Sequence, residues 1–198
     1  MQRRIWSLCA LGACGLALVA GLAAAQQSGT TPSAEEQAMM AAAAPGEHHR
    51  HLDHYVGSWN TKITMWMAPG QPPMTSTGSA EAKWALGGRY VESVYKGDMM
   101  GMPFEGHGTE GYDNLAKQYV GTWVDNMSTG VMVSKGTCSN GGKVHSSQSE
   151  MLDPMTGKPV KIRSVVTSVD ANSYRMEMFM TPAGGTEFKT MEMVATKK

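Results

Sequence analysis

The stretch Gly57-Ser58-Trp59-Asn60-Thr61-Lys62-Ile63-Thr64-Met65 decides the fold of this chain. Trp59, Thr61, Ile63, Met65 and Met67 fall on one face of an extended segment, with Asn60, Lys62 and Thr64 on the other. Period-two alternation of this kind marks a strand with one face toward a core. The run APGQPPM then breaks it.

Beyond that break the rhythm repeats. Ala80, Ala82, Trp84 and Leu86 alternate with Glu81 and Lys83, and Gly87-Gly88 fits a tight hairpin turn before a third strand, Arg89 to Lys96. Further strands are expected at 104–112, 118–124, 131–138, 144–152, 160–169, 173–181 and 187–196. Turn chemistry separates them, as in Asp113-Asn114, SNGGK and Asp153-Pro154-Met155-Thr156-Gly157. Short connections imply antiparallel neighbours, because parallel pairs need long crossovers. The reading is an all-β, antiparallel, closed meander barrel of about ten strands, since closure removes exposed edges. No helix-period stretch follows Gly57, which argues against a Rossmann or TIM architecture.

Upstream lie one or two short helices. Ser33 and Glu36 form a capping box for an alanine-rich helix that Pro45-Gly46 stops. A second short helix is expected over Glu47 to Tyr55. Earlier still, Arg3 and Arg4 precede an apolar run from Ile5 to Leu22, and Ala23-Ala24-Ala25 precedes Gln26. A charged start, an apolar middle and a small-residue exit predict a secretory signal peptide over 1–25. The chain then divides into a tether and short helix at 26–46 and a barrel domain at 47–198. Leu11-Gly12-Ala13-Cys14 loosely resembles a lipobox, an alternative fate for the leader. Export to the periplasm or beyond follows from either, and cleavage would leave no membrane span.

Seventeen basic and 17 acidic residues balance over the whole chain, and losing Arg3 and Arg4 leaves a slight acidic excess. No basic face stands out, so nucleic acid is not an expected partner. Cys9 and Cys14 leave with the leader, so Cys138 has no partner for an intrachain disulfide. A small buried strand residue is its expected role.

A short helix leading into Gly57-Ser58-Trp59 resembles the calycins, the lipocalins and fatty-acid-binding proteins. That resemblance implies that Trp59 plugs the closed end, with Arg175 or Lys189 lying across its ring. A longer match is carried by MWMAPGQPP, WALGGRYVES, MMGMPFEGHGTEGYDN, WVDNMSTG, DPMTGKP and EFKTMEM. These motifs are similar to a bacterial secreted family, a domain of unknown function placed near the calycins, over Leu52 to Lys198. The resemblance implies a fold and supplies no activity. In related haem-binding barrels a late-strand histidine ligates iron, and no histidine follows His145, so no cofactor is expected.

Several patterns compete as sites. His48, His51 and His54 are three apart, a spacing that can share a metal on a helix. Steps of three drift around the helix, and a solvated histidine face is the plainer reading. GHGTEG at 106–111 spells a dinucleotide fingerprint, yet it lies inside a strand pattern rather than opening a helix. It does place Phe104, Gly106, Gly108, Glu110 and Tyr112 on one face, where the glycines leave room for a bulky neighbour, a bend or a ligand.

Methionine is abundant, with 18 in the chain. Met176, Met178 and Met180 share a face with Tyr174. Thioethers are soft ligands for Cu(I), but they also line adaptable apolar pockets. The expected function is therefore an exported barrel holding a small apolar or amphipathic molecule, with Trp59, Trp84, Arg89, Tyr112, Trp123 and Met178 as lining candidates. Arg89 would anchor a carboxylate. The alternatives are a barrel isomerase or hydrolase using His107 with Glu110 or Asp125, and an envelope interaction protein or copper or zinc binder. The enzyme reading is the less favoured, and no elbow-like serine supports acyl chemistry.

Overall fold

A computed structural model describes residues 31–153 and 156–198. The predicted leader and most of the tether lie outside them. The capping box forms as expected: the Glu36 amide donates to Ser33 Oγ at 3.2 Å and the Ser33 amide to Glu36 Oε2 at 2.7 Å. It starts helix α1, Ala34–Ala43, which buries no residue. The helix is tied down by Asn114, whose Nδ2 donates to the carbonyls of Ala42 and Ala44, both at 2.9 Å. A residue expected only to make a turn is thus the C-terminal cap of α1. Asp113 does make the turn, accepting from the Leu115 and Ala116 amides.

The expected helix at 47–55 divides into α2, Glu47–Arg50, and a 3-10 turn, Asp53–Tyr55. Leu52 between them is 1% exposed and packs into the barrel end.

Ten strands follow: β1 Gly57–Met65, β2 Met74–Ala85, β3 Tyr90–Met99, β4 Met102–Asp113, β5 Gln118–Asp125, β6 Met132–Ser139, β7 Val144–Leu152, β8 Pro159–Asp170, β9 Ser173–Thr181 and β10 Phe188–Lys197. Each pairs antiparallel with the next, and β1 pairs with β10 to close the barrel. β2 starts six residues earlier than its alternation suggests. Thr75, Ser76, Thr77 and Gly78 carry no apolar face, but the open edge of β1 pairs them with Thr64, Ile63, Lys62 and Thr61. Cross-strand pairing overrides weak local pattern. Met67 lies beyond β1, in the exposed loop, and not on its inner face.

Trp59, 2% exposed, anchors a core of Ile63, Tyr95, Phe104, Tyr174 and Met193. Gly57 has φ +136, a backbone state that favours glycine, and this bend sends the chain from the 3-10 turn into β1. The bend lets the Trp59 indole donate to the Tyr55 carbonyl at 2.8 Å. Among the described residues no helix is long and apolar enough to cross a membrane.

Candidate functional site

Strand parity divides the candidates. The ladder pairs Glu110 with Val91 and Gly121, and Gly108 with Ser93 and Trp123, all inside the wall. His107 has the opposite parity. It lies on the outer face, its side chain 53% exposed, with Nε2 2.9 Å from Glu105 Oε1. Glu105 also meets Lys96 at 3.2 Å, and these contacts, that with His107 first, hold its carboxyl below the usual range. The wall therefore separates His107 from Glu110. Asp125 is spoken for as well: it accepts from Trp123 Nε1 and from the Met127 amide, both at 2.9 Å. The acid–base pairing expected of His107 is not assembled.

Trp123 packs against two of the glycines of β4, Gly106 and Gly108. A Cβ at position 106 would lie 2.2 Å from the indole, and one at 108 would lie 3.3 Å from it. The bulky-neighbour reading of GHGTEG holds, and the neighbour is this ring. Trp84 donates to Asp53 Oδ1 at 3.0 Å, which fastens the 3-10 turn to β2. Arg89 does not face the interior. Its Nη1 donates to the Leu86 carbonyl at 3.0 Å within the β2–β3 turn. The cation over Trp59 is Lys197, 5.5 Å from the ring centroid. Arg175 and Lys189 lie on the outer face, paired with Glu177.

The histidines divide: His48 is exposed, as a solvated face requires, while His49, His51 and His54 pack into the barrel end. His49 is 4% exposed and its Nδ1 accepts from the Gly46 amide at 3.0 Å. His48 stacks on Tyr112 at 4.3 Å. His51 Nδ1 lies 3.0 Å from the Tyr119 hydroxyl, which donates to the His48 carbonyl. His54 packs against Tyr55 and His145, and burial holds it in the neutral form. Among the described residues no three His, Cys, Asp or Glu side chains converge as a metal site would need.

Behind the plug the structure pairs two residues that the sequence reading treated separately. Cys138 Sγ lies 3.4 Å from His145 Nε2, which is also 3.2 Å from the Gly142 carbonyl. The two residues are direct ladder partners across the SNGGK turn. A two-residue count outward from that turn would have found them. Burial, then the nearby His54, pushes His145 down to about 4, while burial pushes the Cys138 thiol up. A neutral imidazole beside a protonated thiol is not an activated nucleophile.

The lumen itself has two unlike walls. One, from β9 through β10 and β1 to β4, carries Trp59, Tyr95, Phe104, Tyr174 and the methionines Met176, Met178 and Met191. The other, β6 to β8, presents Ser134, Gly136, Ser147 and Ser164, which point inward yet stay half-buried. Three inward hydroxyls, Thr61 Oγ1, Ser76 Oγ and Tyr95 OH, are buried with no hydrogen-bond partner among the described residues. Glu110 has no counter-ion among them, and burial raises its carboxyl to about 8. A concavity of about 540 Å³ lies elsewhere, outside the wall, where the charged Glu81, Lys83 and Glu92 line it with His107.

Residues 44–197 match the model of a family described as "Protein of unknown function (DUF1579)". The chain belongs to that family. No curated protein matches this chain's sequence. Among solved structures, Rv2717c from M. tuberculosis superposes with a TM-score of 0.57 at 13% identity, covering 78% of this chain and 99% of that one. That similarity shows the barrel fold alone. A redesigned beta barrel, b11L5F_LGL, aligns with a TM-score of 0.41 at 13% identity, over 75% of this chain and 96% of its own. EF1p2_mFAP2b bound to DFHBI aligns with a TM-score of 0.39 at 10% identity, over 76% and 99%.

Proposed function

We propose that this DUF1579 protein is exported and binds a small apolar or amphipathic molecule inside its barrel, as calycins do. Export rests on the charged, apolar and small-residue order of its first 25 residues. Binding rests on one observation. Ser134, Gly136, Ser147 and Ser164 are small, face the interior and stay half-buried, while thioethers and aromatic rings line the wall opposite. An eight-stranded barrel is just filled by its side chains, and ten strands enclose more space. Apolar surface with a few polar groups is what small-molecule sites offer.

Native mass spectrometry on the chain exposed to host extract tests this, with N-phenyl-1-naphthylamine as a fluorescent probe of the lumen. Wild type is expected to retain an adduct and to bind the probe saturably. Ser147→Trp, which fills the open wall, is expected to lose both with an unchanged circular dichroism spectrum. Absence of any adduct together with no saturable probe binding would sink the proposal.

A further inference from the structure

Glu110 is out of keeping with its surroundings. It points inward from β4, between Val91 and Gly121 on the neighbouring strands. No hydrogen bond or ion pair reaches its carboxyl among the described residues. A Cβ at position 121 would lie 2.4 Å from Oε1, so glycine is what leaves the carboxyl its place. Buried carboxyls are ordinarily paired, because an isolated one is costly in either form.

Among the described residues no protein cation is available to it. The lysines and arginines on the strands occupy outward ladder positions, with one exception, Lys197. The Lys197 ammonium lies over Trp59 at the plugged end. Arg163, Lys189 and Lys96 are engaged by Glu187, Glu177 and Glu105 outside the wall. Arg89, the residue expected to hold a carboxylate, is bonded to the β2–β3 turn. An anionic headgroup entering this lumen would meet a carboxyl and, among the described residues, no cation.

We infer that the lumen selects a molecule with a cationic, hydrogen-bond-donating head, an organic amine, which pairs with Glu110 while its apolar part lies against Met178 and Met191. This reverses the polarity expected of a fatty-acid carrier and rests on the lumen-binding reading above. Burial of the pair makes it strong, because the ammonium supplies the donors and charge that Glu110 lacks. The cross-strand neighbours Met178 and Met191 offer adaptable apolar contact.

A matched series separates the possibilities: dodecylamine, dodecanol and dodecanoate, each below its micelle concentration, titrated into the full chain at neutral pH by calorimetry. The amine is expected to bind at least tenfold more tightly than the alcohol, with the carboxylate weakest. Glu110→Gln is expected to bring the amine to the level of the alcohol and leave the alcohol unchanged. Gly121→Ala, which crowds the carboxyl, is expected to act in the same direction should the first variant fold poorly. Glu92→Gln, on the outer face, controls for surface attraction and is expected to preserve the order. Dodecanoate binding as tightly as dodecylamine, or an amine preference that survives in Glu110→Gln, overturns the cationic-head inference and leaves lumen binding standing. If all three fail to bind, the lumen reading falls and this inference with it.

Discussion

The two walls of the barrel are built on opposite plans. From β9 through β10 and β1 to β4 the inward positions carry Tyr174, Met193, Trp59, Ile63, Tyr95 and Phe104, which interlock as one core. From β6 to β8 the inward positions mix buried His145, Ser149 and Ile162 with the small, half-buried Ser134, Gly136, Ser147 and Ser164. The first wall supplies cohesion, because buried aromatic and thioether surface is where the hydrophobic contribution lies. The second presents small side chains that stay half-buried. A barrel uniform in either style would be a solid plug or a weakly held shell.

Truncation on the packed wall has the largest expected effect. Trp59→Ala removes the indole, its bond to the Tyr55 carbonyl and the seat of Lys197. A loss of about 3–5 kcal/mol in denaturant unfolding is expected. A loss below about 1 kcal/mol would show that the core does not depend on this wall.

Glu110→Gln tests the meeting of the walls through pH. The native carboxyl titrates at about 8, against an ordinary unfolded value near 4.5. Between those values the unfolded chain has released a proton that the folded chain keeps, so stability falls as pH rises through that window and levels off above it. Tyr55, which faces Glu110, stays protonated throughout. The variant is expected to flatten this decline and to raise Tm at pH 8 by roughly 5 °C or more. Equal slopes for both proteins between pH 5 and 8 would show that Glu110 is not desolvated.

Gly106→Ala sets a methyl against the Trp123 indole, and the expected cost is about 1–3 kcal/mol. Ser147→Ala, on the open wall, is expected to change stability by about 0.5 kcal/mol or less. A cost for Ser147→Ala equal to that of Gly106→Ala would erase the distinction between the walls.

Much of this was legible beforehand, and the reason is parity. Alternation placed Phe104, Gly106, Gly108, Glu110 and Tyr112 on one face, and the ladder places them so. The same alternation already set His107 on the other face, so pairing it with Glu110 contradicted the strand that carried both. Met74 to Ser79 were hidden, because Thr75, Ser76 and Thr77 show no apolar alternation and gain a strand only from β1. Arg89 was misread as an interior anchor because a turn contact, Nη1 to the Leu86 carbonyl, leaves no periodic trace. The burial of His49 was missed for a similar reason. His49 is buried by Tyr112 of β4, a neighbour that helix spacing does not reveal.

The ladder between β1 and β10 pairs Trp59 with Lys197 and Met65 with Met191, the first strand with the last. Closure therefore cannot begin until nearly the whole domain is available, and its loop-closure cost is incurred late. Until then β1 offers an unpaired edge beside β2. A chain truncated within β10 would keep nine strands and two raw edges, and would recruit other chains to cover them. β10 thus acts as the clasp that leaves this barrel without a free edge.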